Sequence, residues 1–313
     1  MTAIETTDAT LAAASAARLS GTRRASLARV LRQRSSLVGL VILTGLFSVA
    51  LLADFIAPYD PNQVLIGVES GVRPRMPPCV HLLGCPEEQA EHFFGLDGNV
   101  RDVFTRVVHG SRVSLSVGFI TVVWSILIGV ALGALAGFAG GSFDNIVMRI
   151  MDMLLAFPAL LLAIVIVTIL GKGLTNAMVA VGIVSIPIYA RVMRSSVLSV
   201  REQDYVTAAR ALGDDSMSIL RRRIVPNSVT PIIVQGTLGV GTAVLEVAAL
   251  SFIGLAAVAP TPEWGSMIGL ERNQIFTAPH LILFPGIALT LTVLAFNLLG
   301  DGLRDAFDPR LSR

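Results

Sequence analysis

Two acidic residues, Asp152 and Glu246, stand within long apolar runs of this 313-residue chain. A carboxylate at the centre of an apolar helix costs about 2.5–3.5 kcal/mol on insertion scales. Each therefore needs a cation to pair with or an aqueous route to line, and for both a structural, paired role is the first expectation. Other residues invite a catalytic reading. Tyr59-Asp60 and Gly300-Asp301 resemble the paired aspartates of intramembrane aspartyl proteases, which act as coupled acid and base, but Tyr59 and Asp60 fall beyond the end of an apolar run. Leu298 also stands where the G-x-G-D pattern needs its first glycine. Gly171-Lys172-Gly173 lacks the upstream glycine and the following Ser or Thr of a phosphate loop, and neither H-E-x-x-H nor G-x-S-x-G occurs. No catalytic site is expected, and no ATP hydrolysis by the chain itself. The two cysteines, Cys79 and Cys85, flank His81 in "PPCVHLLGCPEE". Outside the cytoplasm such a pair favours a disulfide over free thiols or a metal site.

The elements that carry these residues are membrane spans. Charged residues make up 15% of the chain and hydrophobic residues 53%, against roughly 25% charged in a soluble protein. About 20 apolar residues cross a hydrocarbon core as a helix, and the sequence offers six such runs: Leu37–Ala57, Val113–Phe138, Ile150–Leu170, Leu174–Arg191, Thr230–Ala257 and Leu281–Gly300. The first is too long and too far from the N-terminus for a cleaved signal. Residues 1–36 read as a basic tail with Arg18, Arg23, Arg24, Arg29, Arg32 and Arg34. Of the Lys and Arg residues, 17 fall on the side of the N-terminus and the loop after the fourth run, and 7 on the other. Positive residues stay in the cytoplasm, so both termini are expected there and residues 58–112 outside, where Arg73 and Arg75 sit on a solvated surface. Gly129, Gly133 and Gly137 form G-x-x-x-G-x-x-x-G, a pattern that lets another helix approach closely. Pro158, Pro187 and Pro285 fall inside the third, fourth and sixth runs as shape elements.

The polar stretch from Ser199 to Ser228 lies between two of these runs. Ser199 and Glu202 fit a capping box, and Tyr205, Ala208, Ala209 and Leu212 then share one helical face. Gly213 is placed to end that helix in the left-handed conformation. Asp214 or Asp215 can cap a second helix with Met217, Leu220 and Ile224 on one face, Arg221, Arg222 and Arg223 at its basic end, and Pro226 closing the unit. On physical grounds, such a device suits either an anionic lipid surface or a protein partner.

The order of residues discriminates between these. "AARALGDDSMSILRRRIVP" resembles the coupling loop of ABC importer permeases: Ala208 and Ala209 match the paired alanines, Gly213 has the right spacing, and Val225-Pro226 match the ending. Thr207 replaces the acidic residue of that pattern and Arg223 its isoleucine. "HFFGLDGNVRDVFTRVVHGSRVSL", "RIMDMLLAFPALLLAI", "LEVAALSFIGL", "PEWGSMI" and "NLLGDGLRDAFDPR" are similar to the C-type permease subunit of dipeptide and oligopeptide ABC importers. The resemblance implies an all-α, polytopic protein with six transmembrane helices and the type I permease fold. It would comprise a cytoplasmic tail (1–36), a first helix (37–57), an extracytoplasmic segment (58–112), a five-helix core (113–300) with a coupling loop (194–229), and a cytoplasmic tail (301–313). It implies a multi-pass subunit in a bacterial inner membrane, paired with a second homologous permease, two ATP-binding cassette domains that hold ATP and Mg, and an extracytoplasmic substrate-binding protein. Membrane lipid is its surroundings, and neither a cofactor in this chain nor a nucleic-acid partner is expected. Peptides are the implied cargo, with nickel chelates, haem or glutathione as alternatives. An ion-coupled secondary transporter would need no docking loop.

Overall fold

The computed structural model describes residues 33–307; Arg18, Arg23, Arg24, Arg29 and Arg32 of the N-terminal tail, and residues 308–313, lie outside the described residues. The spans are helices α1 (Arg34–Leu51), α3 (Val103–Ala139), α6 (Leu174–Arg201), α10 (Thr230–Phe252) and α12 (His280–Phe307). Short helices connect them: α2 (Ala53–Ile56), α4 (Gly141–Leu155), α5 (Ala159–Leu170), α7 (Asp204–Ala211), α8 (Ser216–Ile219), α9 (Val225–Ser228) and α11 (Trp264–Glu271). Among the described residues there are isolated bridges but no strands.

Three spans run past their apolar cores. Helix α3 starts at Val103, ten residues ahead of the apolar run, because Asp102 caps it: its carboxylate accepts from the Thr105 N–H at 2.7 Å. Helices α6 and α12 continue to Arg201 and Phe307, past the apolar runs that close at Arg191 and Gly300.

The third run is not one helix. Helices α4 and α5 meet at 93°, and Pro158, expected inside a helix, instead occupies the N-cap of α5. Proline cannot donate to the preceding turn and biases the residue before it away from the helical region, so the chain breaks after Leu155. With 12 residues, α5 is about 18 Å long, short of the roughly 30 Å hydrocarbon thickness. Pro187 and Pro285 do lie inside α6 and α12.

Helices α3 and α6 form the most extensive helix pair, built on the glycine repeat. A Cβ at Gly129 would lie 2.7 Å from the Tyr189 Cβ, one at Gly137 3.0 Å from the Arg194 carbonyl, and one at Gly133 would strike the Ala190 backbone. The repeat thus lets two backbones touch. Trp124 of α3 fills the space left by Gly182 of α6.

The two ends of the bundle differ. At one end the start of α1 meets the end of α12, where the Gln33 amide donates to Asp305 at 3.3 Å. The Arg201 guanidinium donates to the Gly137 carbonyl at 3.1 Å, bringing the end of α6 to the end of α3. The segment between α2 and α3 covers the opposite end. It has a small core of Leu65, Met76, Cys79, Leu96 and Val100, and Cys79 and Cys85 are bonded, with Cα atoms 5.3 Å apart. His92, fully buried, lies 3.1 Å from Asp102 and 3.2 Å from Glu69. Val100 has φ +58°, an uncommon conformation for a β-branched residue. Its backbone N–H donates to Asp97 at 3.0 Å while its carbonyl accepts from Leu65 at 2.9 Å, which pins it. Arg106 fastens the segment to the bundle by donating to the Pro61 and Pro260 carbonyls at 2.8 and 3.3 Å. Glu271 of α11 accepts from Arg75 and from the Gly98 N–H, each at 2.9 Å.

Candidate coupling site

The polar stretch after α6 forms a compact device at the end of the bundle that carries both ends of the described chain. Its start differs from expectation. Ser199 is inside α6, and α7 begins at Asp204 with Gln203 at its N-cap and no side-chain cap bond, so the Ser199–Glu202 capping box does not form. Helix α6 persists because Met193 and Val197, both fully buried, hold its last turns against the bundle.

Helix α7 ends as its sequence predicts. Gly213 takes φ +83°, its N–H donates to the Arg210 carbonyl at 3.0 Å, and the Asp214 N–H donates to the Ala209 carbonyl at 3.1 Å. These are the two bonds of a Schellman motif, which satisfies carbonyls otherwise left open at a helix end. Asp215 is the cap of α8, accepting from the Met217 and Ser218 N–H groups at 3.0 and 3.1 Å. Asp214 instead accepts from Arg223 at 2.8 Å, closing the device across its turn.

The buried and exposed faces are not those the periodicity suggested. Val206 and Ala209 of α7 are buried with Ile219, Leu220 and Ile224, packed beside Met193, Val197 and Ile232. Tyr205, Ala208 and Leu212 face outward, Leu212 at 85% exposure. Ala209 therefore leaves the face assigned to it. Met217, at 50% exposure, parts from Leu220 and Ile224 and joins the outward set. Pro226 does not close the unit. Residues Leu220–Ile224 form a π-turn in which the Val225 N–H reaches back to Leu220, and Pro226 then sits in the first turn of α9, where its missing N–H costs little. Arg221, Arg222 and Arg223 lie in this π-turn rather than at a helix end. The device thus has an inner face anchored on α6 and α10 and an outer face of Tyr205, Ala208, Leu212 and Met217, an apolar surface with basic neighbours.

The charged candidates separate clearly. Asp152 pairs with Arg191, with both side chains about half exposed. Asp144 accepts from both Nε and Nη2 of Arg194, joining α4 to α6. No sequence signal marked that pair, whose members lie 50 positions apart. Glu246 makes no ion pair among the described residues, contrary to its expected paired role. Glu263, also missed, is 2% exposed and caps α11 by accepting from Gly265 and Ser266 at 2.9 and 2.7 Å. Burial pushes its carboxyl above the ordinary range, while those two bonds pull it back. Glutamate is a rarer N-cap than Asp or Ser, which hid this role.

A bundle of apolar spans with a two-faced helical segment at one end defines a class of membrane protein. The inward-facing structures of the MetNI methionine ABC transporter share the fold: one aligns with TM-score 0.54 at 19% identity over 66% of this chain and 98% of its own, another with TM-score 0.55 at 20% identity. The family model for the binding-protein-dependent transport system inner membrane component matches residues 129–313, and that for the N-terminal TM domain of oligopeptide transport permease C matches residues 23–78. The chain belongs to this family of inner membrane permease components. It is 44% identical to the dipeptide transport system permease protein DppC of Alkalihalophilus pseudofirmus, over 92% of this chain and 90% of that protein. The glutathione transport system permease protein GsiD of Pectobacterium atrosepticum is 41% identical over 90% of this chain and 89% of its own length. The di/tripeptide permease DppC of Pseudomonas aeruginosa is 42% identical over 89% of each.

Proposed function

We propose that this chain is one of two permease halves of an ATP-driven importer of short peptides, with both termini and residues 194–229 in the cytoplasm and residues 58–112 outside. The observation that carries the reading is the two-faced device after α6. Tyr205, Ala208, Leu212 and Met217 offer an apolar surface that this chain leaves uncovered, while Val206, Ile219, Leu220 and Ile224 grip the ends of α6 and α10. Two ATP-binding cassette domains, which would hold ATP and Mg, dock on the outer face. Their closure pushes the inner face against the spans and shifts the bundle between inward-open and outward-open states, a coupling between remote sites through a two-state element. A second, homologous permease completes the pathway, and an extracytoplasmic binding protein delivers cargo to the end covered by residues 58–112. Identities of 41–44% to dipeptide and glutathione permeases support peptides as cargo and favour glutathione, itself a tripeptide, as the second reading.

Uptake by a deletion strain, with and without the restored gene, tests this against di-, tri- and oligopeptides, glutathione, haem and nickel chelates. Gene-dependent uptake of short peptides that stops when the partner ATPase is removed is the expected result. Uptake that survives ATPase loss and follows the proton gradient would refute it.

A further inference from the structure

Glu246 lies on a face of α10 that this chain leaves uncovered. Taking 100° per residue, Gln235, Thr242 and Glu246 fall within about 40° of one another around the helix. The opposite side, with Val240, Val244, Val247 and Ser251, is buried in the bundle. Thr242 is exposed, and Gln235 and Glu246 are partly so. The Thr242 hydroxyl is satisfied by the Leu238 carbonyl at 3.3 Å, but Glu246 has no ion pair with any described residue. A lipid-facing stripe of glutamine, threonine and glutamate would carry an insertion cost at every step, most heavily at Glu246. Polar faces within a membrane persist where they border water or protein.

Of the cations that reach an aqueous route through such a protein, the one shared by short peptides and glutathione is the free amino group, an ammonium at neutral pH. We propose that Glu246 is a subsite on the translocation route that holds the ammonium of the passing peptide, with Gln235 and Thr242 continuing the polar track toward the coupling device. This deepens the peptide-permease reading and rests on it. The competing occupant is a basic residue of the second permease, which would make Glu246 an interfacial ion pair.

Charge replacement in the reconstituted full complex separates these. The described chain has no free cysteine, so E246C adds the one free thiol among its described residues, and the wild-type complex treated with the same reagents corrects for thiols of the partners. Dipeptide uptake should fall about tenfold in E246C, as expected for loss of one charge-assisted contact. It should recover when a sulfonate-bearing methanethiosulfonate restores negative charge, and fall further with the trimethylammonium-bearing reagent. Failure of either water-soluble reagent to label E246C would show that the face is not aqueous and overturn the proposal, as would equal effects of the two reagents or wild-type uptake by E246C and E246Q. Loss of the second permease on purifying E246Q would assign Glu246 to the interface instead. If the wild type imports no peptide but E246C still labels, the peptide reading fails, and the ammonium assignment fails with it, while the aqueous face stands.

Discussion

Replacing Gly213 with alanine isolates one energetic component of the coupling device. The residue has φ +83°, and a Cβ added there would meet nothing within 4 Å, so no steric clash enters. What remains is the backbone penalty of holding an L-residue in the left-handed region, about 1–2 kcal/mol, equivalent to a 5- to 30-fold drop in the population of the turn. The Schellman bonds at Gly213 and Asp214 fix the angle between α7 and α8, so the docking-competent arrangement of Leu212 and Met217 should fall by about that factor. Asparagine tolerates the left-handed region, and Gly213→Asn should recover much of the loss that Gly213→Ala causes. In proteoliposomes with all partners, transport should rank wild type, then Gly213→Asn, then Gly213→Ala, while insertion and expression hold because the turn lies outside the spans. Cysteines at Ala208 or Met217 should crosslink to the ATPase in a nucleotide-dependent way, and one at the buried Ala209 should not. Wild-type transport by Gly213→Ala, with no crosslink from Ala208 or Met217, would refute the argument and leave the device a lipid-surface hairpin.

Gly133→Leu drives a side chain into the Ala190 backbone and should destabilise the chain by about 1–3 kcal/mol, seen as a lower unfolding temperature in detergent, with Gly45→Leu, where a Cβ meets nothing within 4 Å, as the near-neutral control. Asp144→Asn and Arg194→Gln, measured singly and together, should show a coupling of about 0.5–3 kcal/mol; additive effects would deny the α4–α6 pair. Because burial raises the Glu263 carboxyl above its ordinary 4.5, the folded state holds this proton more tightly than the unfolded one. Its contribution is therefore fullest below that pH and is lost as pH rises through the raised value. Glu263→Gln should flatten the decline in unfolding temperature over that window, and an unchanged slope would show that Glu263 does not set it. Mass spectrometry of the peptide spanning Cys79 and Cys85, with thiols blocked at lysis, should show the two sulfurs joined; alkylation of both without reduction would remove the bond.

Much about this protein is legible in local sequence. Long apolar runs with few charges require membrane spans, and the family motifs lie in contiguous stretches. Gly213 marks its own turn because few other residues take that conformation cheaply, and the G-x-x-x-G repeat announces a close helix contact because small residues are what such a contact needs. What the tertiary structure alone decided concerns faces and partners. In a membrane span nearly every position is apolar, so the periodic contrast that reveals the buried side of a soluble helix is absent. Which side of α10 is left uncovered, with Glu246 on it, depends on where α3, α6 and α12 pack. In α7, apolar residues on adjoining faces compete for burial, and the pocket formed with Ile219 and Ile224 selects Val206 and Ala209 over Tyr205 and Leu212. The break at Pro158, the Asp144–Arg194 pair and the burial of Glu263 were likewise settled by neighbours distant in sequence. A charge finds its counter-ion through the fold, and no spacing rule along the chain encodes that distance.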